Sequence, residues 1–293
     1  MKFAYYPGCS PKSTTAELDR VTRRVAKNLE IELIELEEAS CCGAVELRPK
    51  NEDLYLALNA RTLAMAEQLG LDVLTVCATC FLNLTQVNKK LREDRRQLEK
   101  INTFLSGVNL KYQGGVEVKH LLWVLLHEVK AETLRKKIVK SLKPLRVAPF
   151  YGCHMLRPKE LLGLEDPENP TSLDTVIRLC GAEAVDYRGK TQCCGFHTLP
   201  YQQRLTVKMS ARYLMEAKDS GSDCIITPCP LCFTVLDGFQ ILMRKELNKN
   251  LDLPILHLPQ FLGLAMGMKK EELLLSKNII SPKRILRRLE MGS

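Results

Sequence analysis

Long apolar runs are missing from this chain of 293 residues. A membrane-spanning helix needs about 18 consecutive apolar residues, and Leu121–Leu126 and Leu262–Met268 stop far short of that. A signal-peptide pattern is missing as well, because the N-terminal MKFAYYPGC runs at once into a strand-like segment and a cysteine. Aromatic residues are scarce at 6%, and no recognised nucleic-acid-binding motif occurs, so nucleic acid is a poor candidate partner. Neither Gly-x-Gly-x-x-Gly nor Cys-x-x-Cys-x-x-Cys is present. That removes the usual dinucleotide fingerprint and the usual cubane iron–sulfur motif. Apolar content is not lacking: 45% of the residues are hydrophobic, enough for a real core, and the length fits two domains.

Cysteine is abundant, and it is arranged twice in the same way. Cys9 is followed by the pair Cys41-Cys42 and then by Cys77 and Cys80 in a Cys-x-x-Cys. Cys153 is followed by Cys193-Cys194 and then by Cys229 and Cys232. In both halves 34 residues separate the pair from the Cys-x-x-Cys, and ten of the twelve cysteines are used this way. Soft thiolates at such spacings point to zinc or iron–sulfur binding. Zinc closes its shell with four ligands, so a set of five overfills a simple zinc site, although zinc in one half stays open. A thioredoxin-like dithiol would leave three further cysteines per half without a use. Cys180 and Cys224 fall outside the repeat and read as buried small hydrophobes.

The repeat reaches beyond the cysteines. Leu18-Asp19-x-Val21-x-Arg23 matches Leu173-Asp174-x-Val176-x-Arg178, and Ala60-Arg61-x-Leu63 matches Ala211-Arg212-x-Leu214. A period near 150 residues is too long for a solenoid and marks a duplicated domain. The expected division is 1–144 and 145–293, the second domain carrying a basic tail. Within each unit, β-prone runs at Phe3–Tyr6, Glu32–Leu36 and Val73–Val76, and at Val147–Phe150, Glu183–Asp186 and Cys224–Thr227, alternate with amphipathic stretches. The expected fold class is therefore α/β: two pseudo-symmetric tandem domains, each a small, mainly parallel sheet flanked by helices. Each cysteine group is expected just after a strand, where ligands gather in open α/β sheets. Gly8, Gly43, Gly152 and Gly195 stand beside the cysteines and let the backbone approach a bulky inorganic group.

His154 follows Cys153, and His197 lies three residues after Cys194. Either they hydrogen-bond around a cluster, or they carry a catalytic role, delivering protons to a leaving thiolate. His120 and His257 occupy equivalent positions at helix starts and read as structural. The formal charge of +9 counts cysteines as neutral, and ten bound thiolates would remove much of it. Lys269, Lys270, Lys277, Lys283, Arg284, Arg287 and Arg288 crowd the C-terminus, as a solvated face or a docking surface for an acidic partner. So many free thiolates suit the reducing cytoplasm.

The doubled pattern of a lone Cys, Cys-Cys-Gly and Cys-x-x-Cys resembles the B subunit of heterodisulfide reductase and its relatives with paired CCG domains. Arg157-Pro158-Lys159, Asp166 to Pro170 and His257-Leu258-Pro259-Gln260 look like the same family. The resemblance covers nearly the whole chain. It implies two noncubane [4Fe-4S] clusters, each held by one five-cysteine set, with a disulfide or other sulfur-carrying substrate cleaved or formed between them. It also implies two partners of the heterodisulfide reductase type, a small ferredoxin-type protein and a flavin-bearing protein behind it. Arg157, Lys159 and the basic tail are candidate contacts for them or for the substrate. Two other functions remain: an electron relay in a lactate- or glycolate-oxidising complex, and a zinc-binding scaffold without catalysis.

Overall fold

The computed structural model describes residues 1–248 and 250–291. Its framework is two parallel sheets of four strands. The first contains β1 (Lys2–Tyr6), β2 (Glu32–Glu35), β3 (Val73–Thr75) and β4 (Val118–His120), in the order β2-β1-β3-β4. The second contains β5 (Arg146–Pro149), β6 (Glu183–Ala184), β7 (Cys224–Thr227) and β8 (Ile255–His257), in the order β6-β5-β7-β8. All six strand pairings are parallel. Parallel sheets covered on both faces need apolar residues at successive positions. β3 and β7 meet that demand, being buried throughout, whereas the edge strands β2 and β6 are partly exposed.

Helices cover the faces for a reason legible in their spacing. In the helix Ala16–Asn28 the buried residues are Leu18, Val21, Thr22, Val25 and Ala26, one stripe at three- and four-residue intervals. The helix Glu52–Gln68 starts at Asn51, whose side chain accepts from Leu54 N–H at 3.0 Å, and its equivalent in the second half is Gln203–Asp219. The helices Ala78–Glu93 and Pro230–Gly238 begin directly on Cys77 and Cys229. These helices and strands bear out the α/β duplication.

β4 and β8 are not among the expected strands; three residues each are too short to show a period. His120 and His257 accordingly end strands before the following helices begin. The cysteine pairs also lie farther from the strands than expected. Irregular chain separates β2 from Cys41, and the 3-10 turn Arg188–Thr191 intervenes between β6 and Cys193. Only Cys9, Cys77, Cys153 and Cys229 follow closely on a strand.

The two halves share one continuous apolar core. The helix Ala16–Asn28 packs on Leu258–Ala265, and Ala78–Glu93 packs on the short helix Cys153–Leu156. The carboxyl ends of the two sheets therefore face each other, with the cysteines between them.

Candidate functional site

In a sheet ordered 2-1-3-4 the strand order reverses between β1 and β3, and the crevice beyond their carboxyl ends receives ligands. Cys9 leaves β1 into that crevice and Cys77 leaves β3 into it. The irregular segment after β2 returns Cys41-Cys42 to the same place. There the Cys9 and Cys41 sulfurs lie 3.5 Å apart and the Cys42 and Cys80 sulfurs 3.7 Å apart. Cys41 also neighbours Cys42, and Cys77 neighbours Cys80. The five sulfurs thus run in series: Cys9, Cys41, Cys42, Cys80, Cys77. The second half repeats the series as Cys153, Cys193, Cys194, Cys232, Cys229. The two series meet, because Cys77 and Cys229 act on one another across the domain interface. Cys180 and Cys224 lie apart from both and are fully buried.

The backbone is shaped for this crowding. Gly8 has φ +86°, and a Cβ there would stand 2.9 Å from Cys80 Sγ; at Gly152, with φ +80°, it would stand 3.3 Å from Cys232 Sγ. Only glycine meets both demands.

Burial would keep a lone thiol protonated, but the series offers donors to a thiolate. Hydrogen bonding with Cys42 and Cys9, plus Gly43 N–H at 3.4 Å, holds Cys41 well below the ordinary thiol range. Cys153, Cys194 and Gly195 N–H at 3.3 Å do the same for Cys193. Burial opposes ionisation of Cys229, yet bonds from the Cys232 and Cys77 thiols and from the Cys232 and Leu231 amides outweigh it. Cys229 also stands at a helix N-terminus, whose dipole favours anionic sulfur, whereas Cys77 at the equivalent position is pushed well above the ordinary thiol range, first by Cys229 and also by burial.

Several residues that secure the site carry no motif in the sequence. Asn59 Nδ2 donates to Cys42 O at 3.0 Å, and Asn83 Nδ2 donates to Ala44 O at 2.7 Å and Cys42 Sγ at 3.3 Å. In the second half Ser210 Oγ donates to Cys194 O at 2.7 Å and Thr206 Oγ1 to Gly195 O at 3.0 Å. Asn59, Asn83, Thr206 and Ser210 are buried polar residues on the inner faces of helices. A polar residue interrupting an apolar stripe was the available signal.

His154 and His197 do come together, their ring centroids 5.3 Å apart. Thr79, from the first domain's Cys-x-x-Cys, joins them: its Oγ1 lies 2.9 Å from His154 Nδ1 and 3.4 Å from His197 Nε2. One hydroxyl can donate to one ring and accept from the other. Burial first, then the neighbouring imidazole, lowers the His154 pKa; burial lowers that of His197. Nearby, Tyr201 O–H donates to Glu46 across the two domains. Arg157, by contrast, is committed internally, donating to Thr191 O at 2.9 Å and pairing with Glu168 at 2.7 Å.

Comparison with known proteins agrees with this geometry. The CCG family of cysteine-rich domains matches residues 3–85 and again residues 147–237. The chain belongs to the CCG family. Over 95% of its length it is 42% identical to the 8-methylmenaquinol:fumarate reductase membrane anchor subunit of Wolinella succinogenes, covering 97% of that protein. It is 30% identical to the B subunit of the ferredoxin/F(420)H(2)-dependent CoB-CoM heterodisulfide reductase of Methanosarcina acetivorans, over 95% of its length and 94% of the relative's. A protein of Archaeoglobus profundus named for its likeness to the heterodisulfide reductase B subunit is 32% identical, with 93% of each chain covered. A solved hypothetical protein of Helicobacter pylori shares the fold, with TM-score 0.77 at 16% identity, over 96% of this chain and 52% of that one. The chain thus spans about half of that solved protein. This CCG protein is therefore of the heterodisulfide reductase B type, and its relatives point to iron–sulfur binding and to work within a multi-subunit oxidoreductase. Among the described residues no helix is long and apolar enough to cross a membrane.

The cysteine sets suit a multi-iron group better than one ion. Each half brings five sulfurs together, one more than the four ligands that close a zinc shell. The sulfurs are instead strung in series along a wall that Gly8 and Gly152 keep clear.

Proposed function

We propose that this CCG protein is the sulfur-handling iron–sulfur component of a heterodisulfide reductase-like complex. Cys9, Cys41, Cys42, Cys77 and Cys80 hold one noncubane [4Fe-4S] cluster, and Cys153, Cys193, Cys194, Cys229 and Cys232 hold the other. The observation that carries the reading is the meeting of the two cysteine series at Cys77 and Cys229, with Thr79, His154 and His197 beside them. A disulfide placed there has a thiolate-rich site on either side. When bound, the clusters supply two electrons one at a time. With two protons, those electrons convert one disulfide into two thiols, and the reverse reaction returns both. His154 and His197, neutral at rest, pass a proton to a leaving thiolate by giving it up at one ring nitrogen while taking one at the other, and Thr79 orients the two rings and connects them. A ferredoxin-type partner supplies the electrons, with a flavin-bearing partner behind it, and the complex works in the cytoplasm.

The 42% identity to a fumarate reductase component favours a second reading, in which the same clusters relay electrons in a respiratory complex without cleaving a disulfide. Iron, acid-labile sulfide and zinc measured on anaerobically purified protein, followed by EPR with candidate thiols, separate the cases. About eight irons and eight sulfides per chain, with a thiol-induced signal, are expected for sulfur chemistry. The same iron without a thiol response leaves the relay. Stoichiometric zinc without sulfide leaves a scaffold.

A further inference from the structure

One sulfur of the first half has a partner that its counterpart lacks. Asn83 lies one turn beyond Cys80 in the helix Ala78–Glu93 and is buried. Its Nδ2 stands 2.7 Å from Ala44 O, 3.3 Å from Cys42 Sγ and 3.4 Å from Cys42 O. A carbonyl at 2.7 Å takes a hydrogen bond only from the NH2 end of the amide, so the side chain has one orientation. One N–H goes to Ala44 O, and the other is shared by the sulfur and the carbonyl of Cys42. At the far end the buried Tyr55 O–H shares its proton between Asn83 Oδ1 and Gln86 Oε1, each at 3.3 Å.

The two Cys-x-x-Cys motifs align Asn83 with Val235, which is fully buried and has no donor to offer. The backbone donors, by contrast, match between the halves. Gly43 N–H meets Cys41 Sγ at 3.4 Å, and Gly195 N–H meets Cys193 Sγ at 3.3 Å. Cys42 and Cys194 each receive one amide, from Ala44 and from Phe196. The amides of Leu231 and Cys232, which act on Cys229, have counterparts in Thr79 and Cys80 at the equivalent helix start. Among the described residues Asn83 is thus the one side chain, cysteines aside, that donates to a sulfur of either series. A hydrogen bond strengthens as its acceptor gains negative charge. Reduction places charge on cluster sulfurs, so a bond to one of them favours the reduced form and raises the potential.

We propose that Asn83 is a positioning residue that orders the two clusters: by donating to Cys42 Sγ it sets the reduction potential of the first-half cluster above that of the second. The first electron then rests in the first half, and the second arrives in the half that carries His154 and His197. The inference rests on the iron–sulfur reading above, which iron and sulfide content test separately.

The test is an EPR-monitored redox titration of wild type, Asn83→Val and Asn59→Ala, with iron and sulfide measured on each. Asn83→Val installs the residue of the second half. Asn59→Ala removes a neighbouring donor to Cys42 O and leaves the sulfur untouched. Wild type is expected to show two one-electron midpoints. In Asn83→Val the higher one falls by about tenfold in the reduction equilibrium (about 59 mV for one electron), and the lower one stays. Asn59→Ala leaves both in place. Unchanged midpoints in a loaded Asn83→Val chain overturn the proposal, as does an equal fall of both or a matching fall in Asn59→Ala. If Asn83→Val does not load, wild type labelled with 15N-asparagine decides, by pulsed EPR at a potential where only one cluster is reduced. A side-chain nitrogen coupling on that cluster supports the ordering, and its absence there overturns it. Zinc without sulfide in wild type would instead overturn the underlying reading.

Discussion

The two halves of this CCG protein hold their cysteines alike and surround them differently. In the first, Cys9 and Cys41 are exposed; in the second, Cys153 and Cys193 are half-buried. Where the second half has His154 the first has Ser10, and where it has His197 the first has Val45. Thr79, which joins both rings, belongs to the first half, and its counterpart is Leu231. Duplication supplied two equivalent sulfur series, and a few substitutions around them gave only the second half a histidine pair. The inner cysteines Cys77 and Cys229 stay common to both.

The sharpest way to break the comparison is to remove a sulfur from one half. Cys42→Ser replaces a soft ligand with a hard one and is expected to remove the iron of the first half, leaving about half the wild-type iron and sulfide. Cys194→Ser is expected to do the converse, and an EPR signal surviving in each would show which half it reports. The next effect is chemical. His197→Val gives the second half the first half's residue and is expected to slow disulfide turnover about 100-fold, with iron content intact. Val45→His, the reciprocal change, should leave the rate unchanged. A smaller effect is expected from the polar anchors. Asn59→Ala and Ser210→Ala strip a buried donor from Cys42 O and Cys194 O, costing about 1–3 kcal/mol each, read as matching falls in melting temperature. A large inequality would mean that the anchors are not equivalent.

The smallest concerns a feature of the second half alone. Asp237 stands where the first half has Thr85 and accepts from Ile279 N–H at 2.6 Å and Ile280 N–H at 3.1 Å, pinning the C-terminal segment. Burial raises its pKa from 3.8 to about 6. The folded form holds the proton longer than the unfolded form, so this group favours folding below about pH 4 and loses that contribution as pH rises through about 6. Asp237→Asn should flatten that segment of the stability–pH curve, measured by denaturant unfolding at a pH series.

Much of the architecture was legible because its signals are local. Leu18, Val21 and Val25 mark a helix face by spacing alone, and apolar Val73–Val76 and Cys224–Thr227 announce buried strands. β4 and β8 were not legible, since three residues carry no period and owe their pairing to β3 and β7. Arg157 looked available for a partner, but its guanidinium is bound to Thr191 and Glu168, a use no spacing reveals. Thr79 was invisible for a related reason: its value lies in two histidines 75 and 118 positions away.

By itself the sequence determined the duplication, the α/β class and the two cysteine series, because thiolate chemistry and side-chain periodicity are written residue by residue. Only the tertiary structure decided that the two series meet. That meeting depends on Ala16–Asn28 packing on Leu258–Ala265 and on Ala78–Glu93 packing on Cys153–Leu156. Apolar burial drives such packing without direction, and the shape of the helix faces turns it into one docking of the domains. From that docking follow the contact of Cys77 with Cys229 and the bridge through Thr79.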